Sequence, residues 1–177
     1  TLGEGELAGA LALAPNGRLV VAAVEATVIA WKTDTGEESW RRPVGAVVRA
    51  LAFSADGAAL AAASDGVRVL SAETGEEIQK LPAQEAAAVA FAPDGASLLA
   101  AGPAAIDRWD RTTGKATVVA PIVASSLAIS ADGARIAAGG ADGQIHLVDA
   151  ATGAEVWSKP ELAAATTVAV AGKLVFA

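Results

Sequence analysis

Apolar and polar positions alternate along this chain in short runs that recur at nearly constant spacing. In four places two large apolar residues flank an alanine, and a turn glycine follows four residues later. These triplets are Leu11-Ala12-Leu13, Leu51-Ala52-Phe53, Val89-Ala90-Phe91 and Leu127-Ala128-Ile129. A period of two residues is typical of a β-strand. Each triplet therefore predicts a strand that buries large side chains on one face and alanines on the other.

Two recurring turns set the length of the repeat. The first ends the triplet strand, at Asn16-Gly17, Asp56-Gly57, Asp94-Gly95 and Asp132-Gly133, and such pairs are a strong hairpin signal. The second is a Thr-Gly pair that returns every 39 residues, at Thr35-Gly36, Thr74-Gly75, Thr113-Gly114 and Thr152-Gly153. Self-similarity at this period indicates a repeat architecture and outweighs local propensity, including the helix preference of the many alanines.

Each repeat predicts four strands. In the third repeat they are the triplet, the run 98–100, the segment 106–109 and a more polar segment at 116–118. About 40 residues in four strands is the size of one propeller blade. The predicted fold is all-β, a single propeller domain over residues 1–177 built from four-stranded antiparallel blades. The predicted blades span approximately 7–45, 46–84, 85–123 and 124–163, with a partial fifth blade over 164–177.

The third repeat resembles the WD40 family. Its Val89 to Gly95 segment is similar to that family's first strand and turn, and Trp109-Asp110 to the dipeptide that gives the family its name. The other repeats have Trp31-Lys32, Leu70-Ser71 and Val148-Asp149 there, and the Gly-His pair of the family is absent. The resemblance implies a rigid platform that holds other proteins with its loops and catalyses no reaction.

The first and fourth repeats are also similar to the tryptophan-docking motif of quinoprotein-like propellers. The segments are 30–40, which ends in Trp40, and 147–157, which ends in Trp157; the second and third repeats have Gln79 and Val118 at that position. This resemblance implies a propeller domain of a redox enzyme or an envelope assembly factor. The fold is the same for both families, whereas the implied function differs.

Composition excludes several functions. The net charge of −7 argues against nucleic-acid binding, which needs a basic surface to neutralise phosphates. The longest uncharged run, 116–131, is shorter than the ~20 residues of a membrane-spanning helix. The chain has no cysteine for thiolate chemistry. No signal peptide opens the chain, which slightly favours the cytoplasm; a periplasmic or secreted location stays open if such a peptide has been removed.

The sequence predicts no catalytic residue, no cofactor and no metal site. The single histidine, His146, occupies a strand position that holds Ile29, Arg68 and Asp107 in the other repeats, which predicts a partly exposed strand face. The recurring Asp56, Asp94 and Asp132 are expected to stabilise turns, because Asp accepts hydrogen bonds from nearby backbone. Trp31 and Trp109 are expected to fill space between blades, and Trp40 and Trp157 to dock against the next blade.

The predicted function is therefore that of a non-catalytic scaffold or assembly subunit that binds protein partners. Loops at one end of a propeller carry such contacts, and the candidate residues, chosen for position and polarity, are Glu25, Arg41, Arg42, Asp65 and Asp142. Four blades and two further strands predict part of a larger ring. Either the rest of a longer polypeptide or another chain would complete it.

Overall fold

The structure, a computed structural model, describes residues 9–160, 169–171 and 174–176. Within these residues the regular elements are all β-strands, which form four four-stranded antiparallel sheets and one two-stranded sheet. In every four-stranded sheet the strands are neighbours in chain order. This confirms the predicted fold class and number of complete blades. The predicted blade boundaries at residue 7 and around 163 lie outside the described residues.

The strands follow the repeat closely. The first sheet contains β1 (Ala10–Leu13), β2 (Leu19–Val24), β3 (Thr27–Lys32) and β4 (Glu38–Pro43). The second contains β5 (Ala50–Phe53), β6 (Ala59–Ala63), β7 (Val67–Ser71) and β8 (Glu77–Leu81). The third contains β9 (Ala88–Phe91), β10 (Ser97–Ala101), β11 (Ile106–Asp110) and β12 (Ala116–Ala120). The fourth contains β13 (Ala124–Ile129), β14 (Arg135–Gly140), β15 (Gln144–Asp149) and β16 (Glu155–Pro160). The two-stranded sheet pairs β17 (Ala169–Ala171) with β18 (Leu174–Phe176).

An acidic residue fixes the turn between the first two strands of the second, third and fourth blades, as predicted, and Asn16 takes this place in the first blade. The Asp56 carboxylate accepts hydrogen bonds from the Ala58 N–H at 3.0 Å and from the Ser54 hydroxyl at 2.6 Å. Asp132 repeats the first bond with Ala134 at 3.0 Å. The carboxylates are therefore occupied by the turn backbone, which is a structural role.

Successive blades pack through the two unlike faces of the triplet strand. The first strands of the blades, β1, β5, β9 and β13, contact one another in that order. Ala12 of the first blade lies in one apolar cluster with Phe53 of the second, and Ala52 of the second lies in another with Phe91 of the third. Alanine on one face lets the large side chains of the next blade approach closely, so the core lies between the blades.

A polar contact from the outer strand joins the first blade to the second and the second to the third. The indole N–H of Trp40, on β4, donates to the carbonyl oxygen of Ala72 at 2.8 Å. The side-chain amide of Gln79, on β8, donates to the carbonyl oxygen of Arg111 at 2.6 Å. Both acceptors directly follow the third strand of the next blade. Gln79 therefore makes the same contact as Trp40, which confirms the docking role predicted for that tryptophan and extends it to a residue of different type.

In the third blade the donor to the next blade lies on the third strand, β11, and not on the outer strand. Val118 stands at the position of Trp40 and Gln79 but has no donor, and the Arg108 guanidinium donates to the carbonyl oxygen of Ala150 at 2.9 Å instead. A register shift between β11 and β12 places Val118 opposite Asp107. Val118 is 68% exposed and lines the cleft between the second and third blades.

The first blade has an apolar face that the described residues of the other blades leave exposed. Leu11 and Leu13 are 68% and 62% exposed. The equivalent residues of the third blade, Val89 and Phe91, are each 6% exposed, because the second blade covers them.

Candidate interaction surface

Because each blade is a four-stranded antiparallel meander, the connections between strands lie alternately at its two ends. Antiparallel neighbours reverse direction, so the turn between a blade's second and third strands lies at the same end as the connection to the next blade. We call this end the loop face; it comprises residues 25–26, 44–49, 64–66, 82–87, 102–105, 121–123 and 141–143. Hydrogen bonds tie its parts together, for example from Val48 N–H to the Glu25 carbonyl oxygen at 2.8 Å and from Ala141 N–H to the Val123 carbonyl oxygen at 2.8 Å.

Three of the five predicted interaction residues lie on the loop face. Glu25, Asp65 and Asp142 are exposed and occupy the turns after the second strands of the first, second and fourth blades. Arg41 and Arg42 do not lie in a loop, because both belong to β4. Arg41 pairs with Glu38 on the same strand at 2.9 Å.

Arg42 contributes to the contact between the first two blades. Its Nε–H donates to the carbonyl oxygen of Gly75 at 2.7 Å, and the residue is half-buried. The expected placement of this basic pair in a loop is wrong for a physical reason. The polar outer strand of a blade carries charged side chains that reach the neighbouring blade, and the sequence pattern does not separate such a strand from a loop.

The loop face also carries residues that the sequence analysis missed. Val47 and Val123 are 60% and 45% exposed in the connections between blades. Glu85 is exposed, and it and Glu25 have positive φ values of 42° and 50°. A positive φ is uncommon outside glycine and often marks functional sites. No pattern in the sequence signals this conformation, because glutamate has no intrinsic preference for it.

His146 is buried rather than partly exposed, contrary to the sequence prediction. Only 6% of its surface is accessible. Its Nδ1 lies 2.8 Å from Glu155 and its Nε2 lies 3.2 Å from Asp142. Burial alone would lower the pKa of His146, but hydrogen bonds to the two carboxylates and their charges together raise that pKa. The side chain thus bridges two acids of the fourth blade by hydrogen bonds.

A cleft of about 310 Å³ lies between the second and third blades. Pro82 and Pro103 of the loop face form part of its wall, with Trp109 and Val118 from the third blade. Asp107 is the one ionisable residue among the residues that line it. Burial raises the pKa of Asp107, because no described group compensates its charge.

A second, larger cavity of about 880 Å³ lies at the opposite end of the first two blades. Its lining includes the cations Arg18 and Lys32 and the acids Asp34, Asp56 and Glu73. The charges are mixed, and Asp56 is occupied by its own turn. This arrangement favours no one class of ligand.

In the described part of the chain, no three His, Asp or Glu side chains are grouped so that they could hold a metal ion. None of the described segments is a helix with the length and hydropathy to cross a bilayer.

Comparison with known proteins separates the two families that the sequence resembles. A family model described as "Outer membrane protein assembly factor BamB" matches residues 1–177. This family has quinoprotein-like propeller repeats, so the match supports that resemblance and not the WD40 family specifically. The comparison with curated proteins found no match.

A solved structure has the same fold. Hydrazine synthase of Kuenenia stuttgartiensis superposes with a TM-score of 0.76 at 20% identity, over 90% of this chain and 51% of that chain. At this identity the likeness shows the fold alone. The chain spans about half the length of that protein.

Proposed function

Because the chain belongs to the family described as the outer membrane protein assembly factor BamB, we propose that it is a quinoprotein-like propeller module that binds a protein partner in the cell envelope. In this proposal it catalyses no reaction and acts as an assembly factor. The family description favours the envelope over the cytoplasm, towards which the sequence alone leaned slightly.

The composition of the loop face carries the proposal. Exposed apolar side chains, Val47 and Val123, lie on the same end of the blades as the exposed acids Glu25, Asp65 and Glu85. Exposed apolar groups together with polar and charged ones are the usual components of a protein interface. Acids outnumber bases on this face, with the exposed Glu25, Asp65, Glu85 and Asp142 against the exposed Arg49, so its complement is a partner surface with exposed apolar groups and basic residues.

Conformational strain on the same face supports this reading. Glu25 and Glu85 both hold a left-handed backbone, which costs of order 1–2 kcal/mol for a residue with a side chain. Hydrogen bonds of the surrounding backbone hold Glu25 in place, since its carbonyl oxygen accepts from Val48 N–H. Rigid presentation of a charged side chain reduces the entropy lost when a partner binds.

A pair of charge-reversal variants tests the proposal. The loop-face variant carries Glu25→Lys, Asp65→Lys and Glu85→Lys. The control variant carries Asp34→Lys, Glu73→Lys and Glu76→Lys, which are exposed acids at the opposite end. Both variants change the net charge by the same amount, so a general charge effect would appear in both.

The two variants are expressed in the source cells in place of the unmodified protein. The measured quantities are the amount of each co-purified envelope protein and the level of assembled outer membrane proteins. We expect the loop-face variant to lose its partner and lower the assembly level, and the control variant to retain both. Equal loss in both variants, or loss in the control variant alone, would contradict the proposal.

Within the same proposal, a further blade covers the exposed face of the first blade. Leu11 and Leu13 occupy positions that the preceding blade buries elsewhere in the chain, as at Val89 and Phe91. The fitting occupant is the alanine face of another propeller blade, because that is what covers the equivalent positions. This blade belongs to the same polypeptide or to another chain that completes the ring.

A further inference from the structure

One position on the third strand holds an ionisable residue in three blades, and only two of these residues have an oppositely charged partner among the described residues of their own blade. The residue seven positions before the glycine of the Thr-Gly turn, on the third strand, is Arg68 in the second blade, Asp107 in the third and His146 in the fourth. Arg68 pairs with Glu77, and His146 pairs with Glu155. Both acids stand two residues after the turn glycine, at the start of the outer strand.

The third blade lacks this internal compensation. Its residue two after the turn glycine is Ala116, so no acid or base of the outer strand faces Asp107. The Asp107 side chain makes no hydrogen bond or ion pair with any described residue. Asp107 is partly buried, so its carboxylate still reaches the cleft, where a cation from outside the described structure would compensate its charge.

The walls of the cleft restrict what that cation can be. They are mainly apolar, from Pro82, Pro103 and the exposed Val118, which is the cross-strand partner of Asp107. Trp109 lies two residues further along the strand and also lines the cleft.

We propose that this cleft binds the side chain of a lysine from a protein partner. The ammonium group would pair with Asp107, and its four-carbon stem would lie against the prolines and Val118. Arginine fits less well, because it brings five N–H donors into a cleft that offers a single carboxylate. The proposal rests on the proposed function and refines it, since Pro82 and Pro103 belong to the loop face and the expected partner is basic.

A second unsatisfied group lies at the same cleft. The indole N–H of Trp109 is buried without an acceptor in the described structure, whereas that of Trp40 has one. Its NMR signal reports on the surroundings of the cleft. That signal is assigned by its disappearance in Trp109→Phe.

The test is an NMR titration of the complete 15N-labelled chain with Nα-acetyl-lysine-N-methylamide. The matched probe is the norleucine analogue, which has the same length of stem without the ammonium group. We expect a saturable shift of the Trp109 indole signal with the lysine probe and none with the norleucine probe. Asp107→Asn should weaken lysine binding about tenfold or more, the range for loss of one charge-assisted contact.

Two controls keep the test decisive. Glu76→Gln removes one negative charge from an exposed residue and should leave the affinity unchanged. Asp107→Asn should melt at the same temperature as the parent or higher, since it removes an uncompensated charge, so loss of binding would not reflect unfolding. The proposal is overturned by equal shifts with both probes, by no shift at all, or by unchanged binding in Asp107→Asn. Such a failure would leave the loop-face charge-reversal result standing, because that experiment involves no lysine probe.

Discussion

The contact between Trp40 and the glycine of the next Thr-Gly turn provides a sharp test of how the blades are joined. Gly75 has a φ of +68°, and a Cβ built on it would lie 2.6 Å from ring carbons Cδ2 and Cε3 of Trp40. Gly36 and Gly114 have nearly the same φ, +70° and +67°, with nothing within 4 Å of the equivalent Cβ. The three glycines therefore share a backbone cost and differ in steric surroundings.

Alanine at the three positions separates the two costs. A left-handed backbone costs a residue with a side chain about 1–2 kcal/mol, which is the expected loss for Gly36→Ala and Gly114→Ala. Gly75→Ala adds the displacement of a Trp40 ring that is 9% exposed and hydrogen-bonded to Ala72. Overpacking of this kind costs about 1–3 kcal/mol more.

Denaturant unfolding of the three variants measures the difference. For a chain of this length each kcal/mol corresponds to about 2–4 °C in melting temperature, so Gly75→Ala should also melt clearly below the other two. In a Trp40→Leu background, which lacks the two ring carbons, the excess cost of Gly75→Ala should disappear. If Gly36→Ala and Gly75→Ala differ by less than about 0.5 kcal/mol in the parent background, the docking account is wrong.

Three further expectations concern the blade contacts and the histidine. Gln79→Leu leaves a half-buried carbonyl of the next blade without its donor and should cost about 0.5–1.5 kcal/mol in denaturant unfolding; no change would contradict its equivalence to a docking tryptophan. His146→Gln should destabilise most at mildly acidic pH. Because the pKa of His146 is raised, the stability that His146 contributes is complete below its ordinary pKa of 6.5 and is lost as the pH rises through the folded-state pKa. Because the pKa values of Asp142 and Glu155 are lowered, the same stability is lost again in stronger acid, where these carboxylates become protonated. A loss of stability in His146→Gln that does not depend on pH would argue against the ion pairs. Leu13→Ser should change the unfolding free energy of the isolated chain by less than about 0.5 kcal/mol but that of a completed ring by about 1.5–3 kcal/mol; equal effects would contradict coverage by another blade.

The sequence predicts the fold well because repeated turns determine it. The 39-residue spacing of the Thr-Gly pairs and the strand alternation between them define the four-stranded blades. The role of Asp56 and Asp132 follows from the same recurrence, since a residue that repeats with the turn serves the turn. Docking by Trp40 could be predicted for the same reason.

The interaction surface is less predictable, because it depends on contacts between blades. Gln79 takes the role in the second blade that Trp40 has in the first, because both side chains donate an N–H to the next blade. An alignment by residue type does not reveal this equivalence. Burial of His146 follows from carboxylates at Asp142 and Glu155. Their spacing is visible in the sequence, but their approach to one ring depends on the sheet register.

The resemblance to two propeller families shows where sequence patterns leave function open. Trp109-Asp110 resembles the WD40 signature, and within the structure Asp110 serves its own turn by accepting from the Thr113 backbone N–H at 2.7 Å. A local turn contact of this kind is compatible with either family. The distinction therefore comes from the match over the whole chain.

Site-specific photo-crosslinking in the source cells tests the central claim most directly, namely that the loop face binds a protein partner in outer membrane assembly. A photoreactive residue is placed at Val47 on the loop face, which is 60% exposed, or at Ile78 on the outer strand β8, which is 56% exposed. We predict one defined adduct from position 47, with an envelope assembly protein, that the loop-face charge reversal abolishes. Adducts from position 78 alone, or none from position 47 in cells that assemble outer membrane proteins normally, would contradict the claim.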